Sequence, residues 1–437
     1  MDAWTTGLWL PTALLALAAT ALAALLGIPV GWTLARGRKG KGLLLGLVLA
    51  QALLPTTLAS IGWIAAFGAH GTGWTVLVWG FCFWPLAALG TWAGLGRAEA
   101  RMEEAALLAM PPWRAALGVS LPRAAPSILA SLAAAFILML GDLGAPGCLQ
   151  VPVGAEEVHA RFSATWDARE ALRMSLPMLA LSALAAFPLL RIRRSLGGGG
   201  GGGVLRFPGA PAWGIALGSL SIPAYGMLRW ALQGKGFQQA SGILIREGSN
   251  TLILAGAVGI LAPLLGFAVV SFLHKRSWAM AIPSCILFAA PGTIVGILLI
   301  VLLNGTPLYG TFAMPLLAAL LRSFAPALLL AWRAAAWVPA SYDEMGRLCG
   351  LPSWRRALSI SFPLCLGGLA AGALVSAVVA SGEVAATSLV CPPGFQTLAG
   401  RLFSLIHYGA DAAVGAAALM GMAFVTVLGL MLSRTRA

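Results

Sequence analysis

The sequence has little charge. Only 10% of its 437 residues are Asp, Glu, Lys or Arg, while 59% are hydrophobic, and soluble domains carry about 25% charged residues. This composition excludes an ordinary soluble domain. The apolar residues form blocks of roughly 20, the length that crosses a bilayer as a helix, without the alternation of a barrel strand. We therefore expect an all-α membrane protein.

The chain also lacks the motifs of cofactor and metal chemistry. Its six cysteines show neither CxxC nor Cys/His spacing, and no G-x-x-x-x-G-K-[ST] sequence is present to hold the phosphates of ATP. No His-rich box or Ser/Lys constellation suggests a membrane-embedded enzyme. We expect no cofactor, no metal site and no catalytic residues in this chain.

Basic residues outnumber acidic ones by 28 to 14, but they fall mainly in alternate loops between apolar blocks. This pattern follows the positive-inside rule better than it indicates nucleic-acid binding, and it predicts an outer N-terminus and a cytoplasmic C-terminus. The hydrophobic pattern predicts eleven helices, near 8–34, 43–68, 74–96, 124–146, 171–190, 211–232, 250–273, 279–304, 310–336, 363–389 and 411–433.

A half-polar stretch occurs twice. Residues 103–122 (EEAALLAMPPWRAALGVSLP, segment one) and residues 344–363 (EMGRLCGLPSWRRALSISFP, segment two) align without a gap, and nine of twenty positions are identical. Further matches at or near the same spacing indicate two homologous halves. Six predicted helices separate the copies, so the repeats are parallel and both copies are expected in the cytoplasm. We predict a five-helix first half (1–196), a glycine-rich cytoplasmic linker (197–209) and a six-helix second half (210–437).

Each segment is expected to form a short helix, a break and a second helix. Pro111 and Pro352 suit the first turn of a new helix, a Trp-Arg pair follows, and Pro122 or Pro363 is expected to close the segment before the next span. Exposed Trp and Arg side chains are typical anchors of protein interfaces. An ordinary amphipathic interfacial helix is the alternative, but it does not explain why both copies keep the same break and the same Trp-Arg pair.

The repeated pattern resembles the cytoplasmic signature of binding-protein-dependent ABC importer permeases: Glu-Ala-Ala, three residues, Gly, nine residues, Ile-x-Leu-Pro. The arrangement is similar to fused type I permeases for iron(III), thiamine and 2-aminoethylphosphonate. The resemblance implies coupling to two separate ATPase subunits and a periplasmic solute-binding protein in the bacterial inner membrane. It places the coupling residues at Glu103, Ala105, Ala109, Trp113, Arg114 and Pro122, and at Glu344, Gly350, Trp354, Arg355 and Pro363. The chain departs from the pattern at Ala109, where the family has Gly.

Three ionisable residues are candidates for the transport pathway. Arg322 lies near the middle of a predicted span, where a lone charge costs about 3 kcal/mol, so we expect it to face the interior and find a partner. Asp142 and Glu383, at equivalent positions in the two halves, are the candidate partners. Lining of the pathway and a structural ion pair are both open. Cys148 and Cys391 follow these acidic positions, and a disulfide between them is conceivable in an oxidising periplasm.

The favoured function is an ABC importer permease, with iron(III) ahead of thiamine and phosphonates as the solute. An ion-coupled secondary transporter is the alternative, and it predicts discontinuous helices or paired carboxylates at the membrane midplane.

Overall fold

The computed structural model describes residues 3–37, 40–95, 100–191, 205, 208–272, 288, 290–406, 408–409 and 411–434. In these residues the chain is helical and has no strand, which confirms the all-α fold. The predicted glycine run 197–203 and His407 lie outside the described residues.

We number the helices of the described residues in chain order. They are α1 (Ala3–Arg36), α2 (Lys41–Leu53), α3 (Thr56–Phe67), α4 (Thr72–Leu95), α5 (Ala100–Ala109), α6 (Pro112–Leu140), α7 (Gly144–Cys148), α8 (Gly154–Thr165), α9 (Ala168–Arg191), α10 (Ala210–Ala231), α11 (Gly236–Phe272), α12 (Gly292–Leu303), α13 (Ala313–Ala336), α14 (Ala340–Leu348), α15 (Ser353–Gly382), α16 (Thr387–Val390), α17 (Leu398–Ile406) and α18 (Asp411–Arg434).

Seven of these helices are long and apolar enough to cross a membrane, and the bent pair α2–α3 makes up to eight. Helices α9 and α10 occupy two further predicted spans but are not among the seven. Of the span predicted at 279–304, the structure describes a helix only from Gly292 to Leu303. The count of eleven crossings therefore stays a prediction.

The predicted helix at 43–68 is not continuous: α2 and α3 meet at a bend of 95°. The break lies at Leu54 and Pro55, where both residues have extended ψ angles (116° and 142°). Proline disfavours helical geometry in the residue before it and has no N–H for the helical ladder. Pro291 has the same extended conformation immediately before α12 (ψ 144°), so the second half begins its short apolar helix in the same way.

The prediction that Pro122 and Pro363 end the segments before a new span is wrong. Helices α6 and α15 run continuously through them, each with a π-helical turn just before the proline, at Ala116–Ser120 and Ala357–Ser361. A proline inside a helix removes one backbone hydrogen bond, and π turns are local features that absorb such interruptions. The second part of each segment is therefore the first part of a span.

The helices pack as two compact units, one comprising residues 1–161, 173–245 and 401–437 and the other residues 162–172 and 246–400. In the first unit, α1, α4 and α6 pack against one another. Gly27 and Gly31 allow α1 to approach α4 closely, because a Cβ at either position would collide with the backbone oxygen of Trp84 or Ala88. In the second unit, the part of α11 from Ser249 onward packs with α13 and α15 in the equivalent arrangement.

The packing units do not coincide with the sequence repeats. Helix α10 packs on α3 and α18, and α18 packs on α2, all within the first unit. Two helices from the predicted second half therefore belong to the first compact unit, so the repeat boundaries at 196 and 210 remain predictions from sequence similarity.

Candidate coupling surfaces and buried charges

Both segments have the predicted helix–break–helix form. Helix α5 precedes the break in segment one and α14 precedes it in segment two, and Pro111 and Pro352 start the following helices with nearly identical backbone angles (φ −65°, ψ 155° and 156°). The break therefore exists in both copies and is built around the same proline.

The turn before this proline differs between the copies. In segment two Gly350 is left-handed (φ 71°), its N–H donates to the Arg347 carbonyl, and the Leu351 N–H donates to the Gly346 carbonyl. This is the Schellman arrangement, which glycine favours because it has no Cβ. In segment one the Met110 N–H simply donates to the Ala106 carbonyl. Ala109 thus stands at a tighter turn that needs no left-handed residue.

Segment two has one extra residue in this turn, so the first short helices align with a spacing of 240 rather than 241. Ala106 and Gly346, a buried position in each helix, match at this spacing, and so do Leu108 (92% exposed) and Leu348 (87% exposed), the most exposed leucines of the described residues. After the turn the spacing returns to 241. The ungapped alignment is therefore correct for the second part of each segment but is displaced by one residue in the first.

This register leaves four large apolar side chains exposed at matching positions. Patch one consists of Met102, Leu108, Trp113 and Leu117, and patch two of Tyr342, Leu348, Trp354 and Leu358. The two tryptophans are 55% and 51% exposed, and each carries the guanidinium of the following arginine, Arg114 or Arg355, about 5 Å from its ring centroid. Four exposed apolar side chains next to a cation, repeated in both copies, form a surface suited to a protein partner.

A buried carboxylate, Glu103, joins segment one to the end of α1. Glu103 is fully buried, and its Oε1 accepts hydrogen bonds from Arg36 Nη2 at the end of α1 (2.5 Å) and from the Ser120 hydroxyl (2.8 Å). An ion pair with both side chains buried is strong only when its geometry and hydrogen bonds are complete. Arg36 was not among the residues singled out from sequence, because its position at a helix end read only as a topology signal.

On α14 the carboxylate at the matching position is Asp343, which directly precedes segment two, and not Glu344. Asp343 lies 2.8 Å from Arg356 Nε and 2.9 Å from Arg347 Nη2, and the Arg356 guanidinium also donates to the Leu351 carbonyl. The hydrogen bond from Arg356 holds the pKa of the Asp343 carboxyl below its ordinary value. Glu344 is exposed and, in the described part of the chain, has no hydrogen bond or ion pair. Ala105 lies exposed on the outer face of α5.

Of the two candidate partners of Arg322, Asp142 and Glu383, the structure pairs it with Glu383. Arg322 is buried in α13, its Nε lies 2.7 Å from Glu383 Oε2, and its Nη1 donates to the Ala290 carbonyl, which directly precedes the break at Pro291. Glu383 Oε1 accepts the Ala386 N–H. The ion pair therefore joins three elements: α13, the loop after α15 and the start of α12.

Asp142 forms the corresponding junction in the first half, and none of its hydrogen-bond partners among the described residues is a cation. It accepts hydrogen bonds from the Trp79 indole in α4 (2.7 Å), from the Thr56 hydroxyl at the start of α3 (2.9 Å), and from the N–H groups of Gly144 and Ala145. Trp79 thus contacts Asp142 from a neighbouring span, as Arg322 contacts Glu383 in the second half. Cys148 and Cys391 are both free thiols in the structure.

Comparison with known families agrees with these features. Residues 262–435 match the family model described as the binding-protein-dependent transport system inner membrane component. Residues 262–435 are thus similar to the inner membrane component of a binding-protein-dependent transport system. The matched region includes segment two, patch two and the Arg322–Glu383 pair. The family it matches is a transport component, and the printed description ties that component to a binding protein. No curated protein matches the chain.

The permease family and the apolar helices together make the chain a multi-pass protein of the inner membrane, as the sequence predicted.

Proposed function

We propose that this ABC permease receives the motion of its ATPases through patches one and two. The observation that carries the proposal is the repetition of four exposed apolar side chains and one Trp-stacked arginine in two segments whose turns differ. Coupling requires a rigid contact with the ATPase, because movement of the ATPase must shift the packed helices between two arrangements. The second parts of segments one and two are the first turns of the spans α6 and α15, so a displacement of either patch acts directly on a span.

The repeats and the charge pattern support a cytoplasmic position for both patches, with the N-terminus outside. Two ATPase subunits, one for each patch, follow from having two copies. We further propose iron(III) as the solute, with thiamine and phosphonates as the alternatives. This preference rests on the resemblance of the fused arrangement, and no pocket of the chain carries it.

The direct test is copurification with the ATPase subunit. The variants Trp113→Ala and Trp354→Ala remove the centre of each patch, and we expect each to weaken the association by about tenfold or more and the pair to abolish it, as loss of a central aromatic anchor does. Trp166→Ala removes an equally exposed tryptophan (64%) from the α8–α9 turn and is the matched control. Unchanged association of the double variant would rule out the patches as the ATPase contact.

The solute is tested separately, by uptake of labelled iron(III) into vesicles that contain the permease, its ATPase and its binding protein. Competition by excess thiamine or 2-aminoethylphosphonate, rather than by iron(III), would reassign the solute without affecting the coupling proposal.

One observation favours the secondary transporter. The 95° break between α2 and α3 is a discontinuous helix of the kind such transporters use. The carboxylate next to this break, Asp142, already accepts four hydrogen bonds from protein donors. Uptake that collapses with a protonophore at constant ATP, and persists without the ATPase, would support that reading instead.

A further inference from the structure

Leu205, which lies outside both segments, packs and bonds against the buried side of segment one. Leu205 follows the glycine run 197–203 by two positions, in the connection between the predicted halves. Its side chain is 3% exposed and belongs to a buried cluster with Trp32, Ala106 and Ala115. Because a glycine-rich connection offers no core of its own, a leucine in it is buried only where it packs against the helices.

Both backbone groups of Leu205 are also bonded. Its N–H donates to Glu103 Oε2 at 3.4 Å, and its carbonyl accepts the Trp32 indole N–H at 3.2 Å. Glu103 is the same carboxylate that binds Arg36 and Ser120. The Leu205 N–H thus bonds to Oε2, the other oxygen of this carboxylate, and adds a backbone donor to the buried group under segment one.

We propose that Leu205 is a positioning residue for segment one: it anchors the connection between the halves onto the base of the first coupling surface. Side chain, N–H and carbonyl each make a separate contact: the N–H bonds to Glu103 of segment one, the carbonyl bonds to Trp32 of α1, and the side chain packs in a cluster drawn from α1, α4, α5 and α6. Segment two has no such anchor in the described chain. Its first helix is braced instead from within the segment, by Arg356 on Asp343 and on the Leu351 carbonyl.

The anchor has a consequence for the connection. Because Leu205 is bonded to Glu103 and to Trp32, the chain that leads into α10 lies next to α1 and α5 at this residue. The part of this inference that concerns coupling rests on the proposed function; the anchor itself does not.

Hydrogen exchange of the complete permease tests the anchor without any ATPase. In Leu205→Ala we expect exchange at Ala100–Ala116 to quicken by about tenfold to a hundredfold, since burial of one leucine side chain is worth a factor of that size. Segment two is the internal control and should not change. L205M, which keeps an apolar side chain of similar volume, should restore protection. Trp32→Phe, which keeps a buried ring but loses the indole donor, should give a smaller increase confined to the same region.

A cleavage site placed within the glycine run provides the second control. Cutting there separates the halves but leaves Leu205 attached to α10, so protection of Ala100–Ala116 should survive the cut. If the cut loosens segment one as much as L205A does, the tether and not the anchor holds it, and the proposal is wrong. Unchanged exchange in L205A would overturn it equally.

The coupling role is read from ATP hydrolysis by the assembled transporter. L205A should keep basal hydrolysis and association through patch two, but lose most of the stimulation by the loaded binding protein, and L205M should regain it. If L205A exchanges faster but keeps full stimulation, Leu205 anchors segment one but has no role in coupling. Loss of ATPase association in the Trp113 and Trp354 variants is a separate outcome, so failure of the proposed function can be told apart.

Discussion

Glu103 and Asp343 occupy the same position on the first helix of their segments, although an ungapped alignment pairs Glu103 with Glu344. Glu103 is buried on α5 against Arg36, whereas the Asp343 side chain is 42% exposed on α14 against Arg356 and Arg347. The two coupling surfaces therefore look alike from outside and are supported differently. The first is fixed by a buried ion pair to a span, and the second by a surface network within the segment.

Because the two carboxylates are supported differently, substitutions at Glu103, Asp343 and Glu344 should lower the free energy of unfolding by unequal amounts. Removing one partner of a buried ion pair costs about 3–5 kcal/mol because it leaves an uncompensated buried charge, so Glu103→Gln should strongly destabilise the first unit. Asp343→Asn breaks a solvent-screened network and should cost at most about 1 kcal/mol. Glu344→Gln should have no effect on stability within about 0.5 kcal/mol. Thermal unfolding in detergent measures the loss of stability for each variant, and hydrogen exchange shows in which segment the loss occurs.

The order of these costs is itself the test of the register. A larger loss for E344Q than for D343N would mean that Glu344, and not Asp343, takes the place of Glu103.

The Asp343 network also predicts a dependence on pH with a definite sign. Because the folded-state pKa of this carboxyl lies below its ordinary value of 3.8, the network contributes its full stability above about pH 4 and loses it as the pH falls through the lower, folded-state pKa. Exchange at Ala340–Leu348 should therefore be independent of pH between 5 and 8, after correction for the intrinsic rate, and increase below 4. D343N should abolish that acid-induced increase; an increase that persists in this variant would assign it to another group.

Sequence reasoning predicted the helix–break–helix form of both segments because their signals are local. The prolines, the Trp-Arg pairs and Gly350 each act through their own backbone or their own exposure, and all are where the pattern placed them. It also included Glu383 among two candidate partners of Arg322, since a buried charge requires a partner and few were available. These features follow from the chemistry of single residues.

What sequence reasoning missed depends on three-dimensional neighbours. The one-residue displacement between Asp343 and Glu344 is set by the turn at Gly350, which identity counting cannot detect. Arg36 and Leu205 are distant from Glu103 in the chain, and each has an ordinary local explanation as a topology signal or a linker residue. The break at Pro55 was within reach, because the residue before a proline disfavours the helix, but the apolar run across it favoured one continuous span.

Gly350→Ala should uncouple segment two with little loss of protein. A left-handed backbone at this position (φ 71°) strains any residue with a Cβ, and the substitution costs roughly 1 kcal/mol. We expect normal yield, normal ATPase association and reduced stimulation of hydrolysis by the loaded binding protein. Ala109→Gly is the matched change in segment one, where the turn needs no left-handed residue, and it should leave stimulation intact. Equal effects from both changes would contradict the difference between the two turns.

The Arg322–Glu383 pair should behave as a structural junction with a charge requirement. Arg322→Leu and Glu383→Leu each leave one buried charge without its partner and should lower stability by about 3–5 kcal/mol, while the double variant should recover much of the loss. Uptake measured at matched protein levels separates structure from pathway. If R322L transports normally when its amount is normal, Arg322 does not line the pathway; if the double variant is stable yet inactive, it does.

The equivalent junction in the first half gives the sharpest comparison, because it contains a carboxylate without a cation. Asp142→Asn keeps the side-chain shape but replaces one acceptor oxygen with a donor, which then faces the Trp79 indole or the Thr56 hydroxyl. We expect a loss of about 1–3 kcal/mol from the unsatisfied donor, less than for the Leu variants of the ion pair, since no buried cation is left behind. Trp79→Phe removes the indole donor alone and should cost less again. A loss at Asp142 as large as that at Glu383 would show that the first junction depends on the charge of the carboxylate, and that counting its hydrogen bonds understates its role.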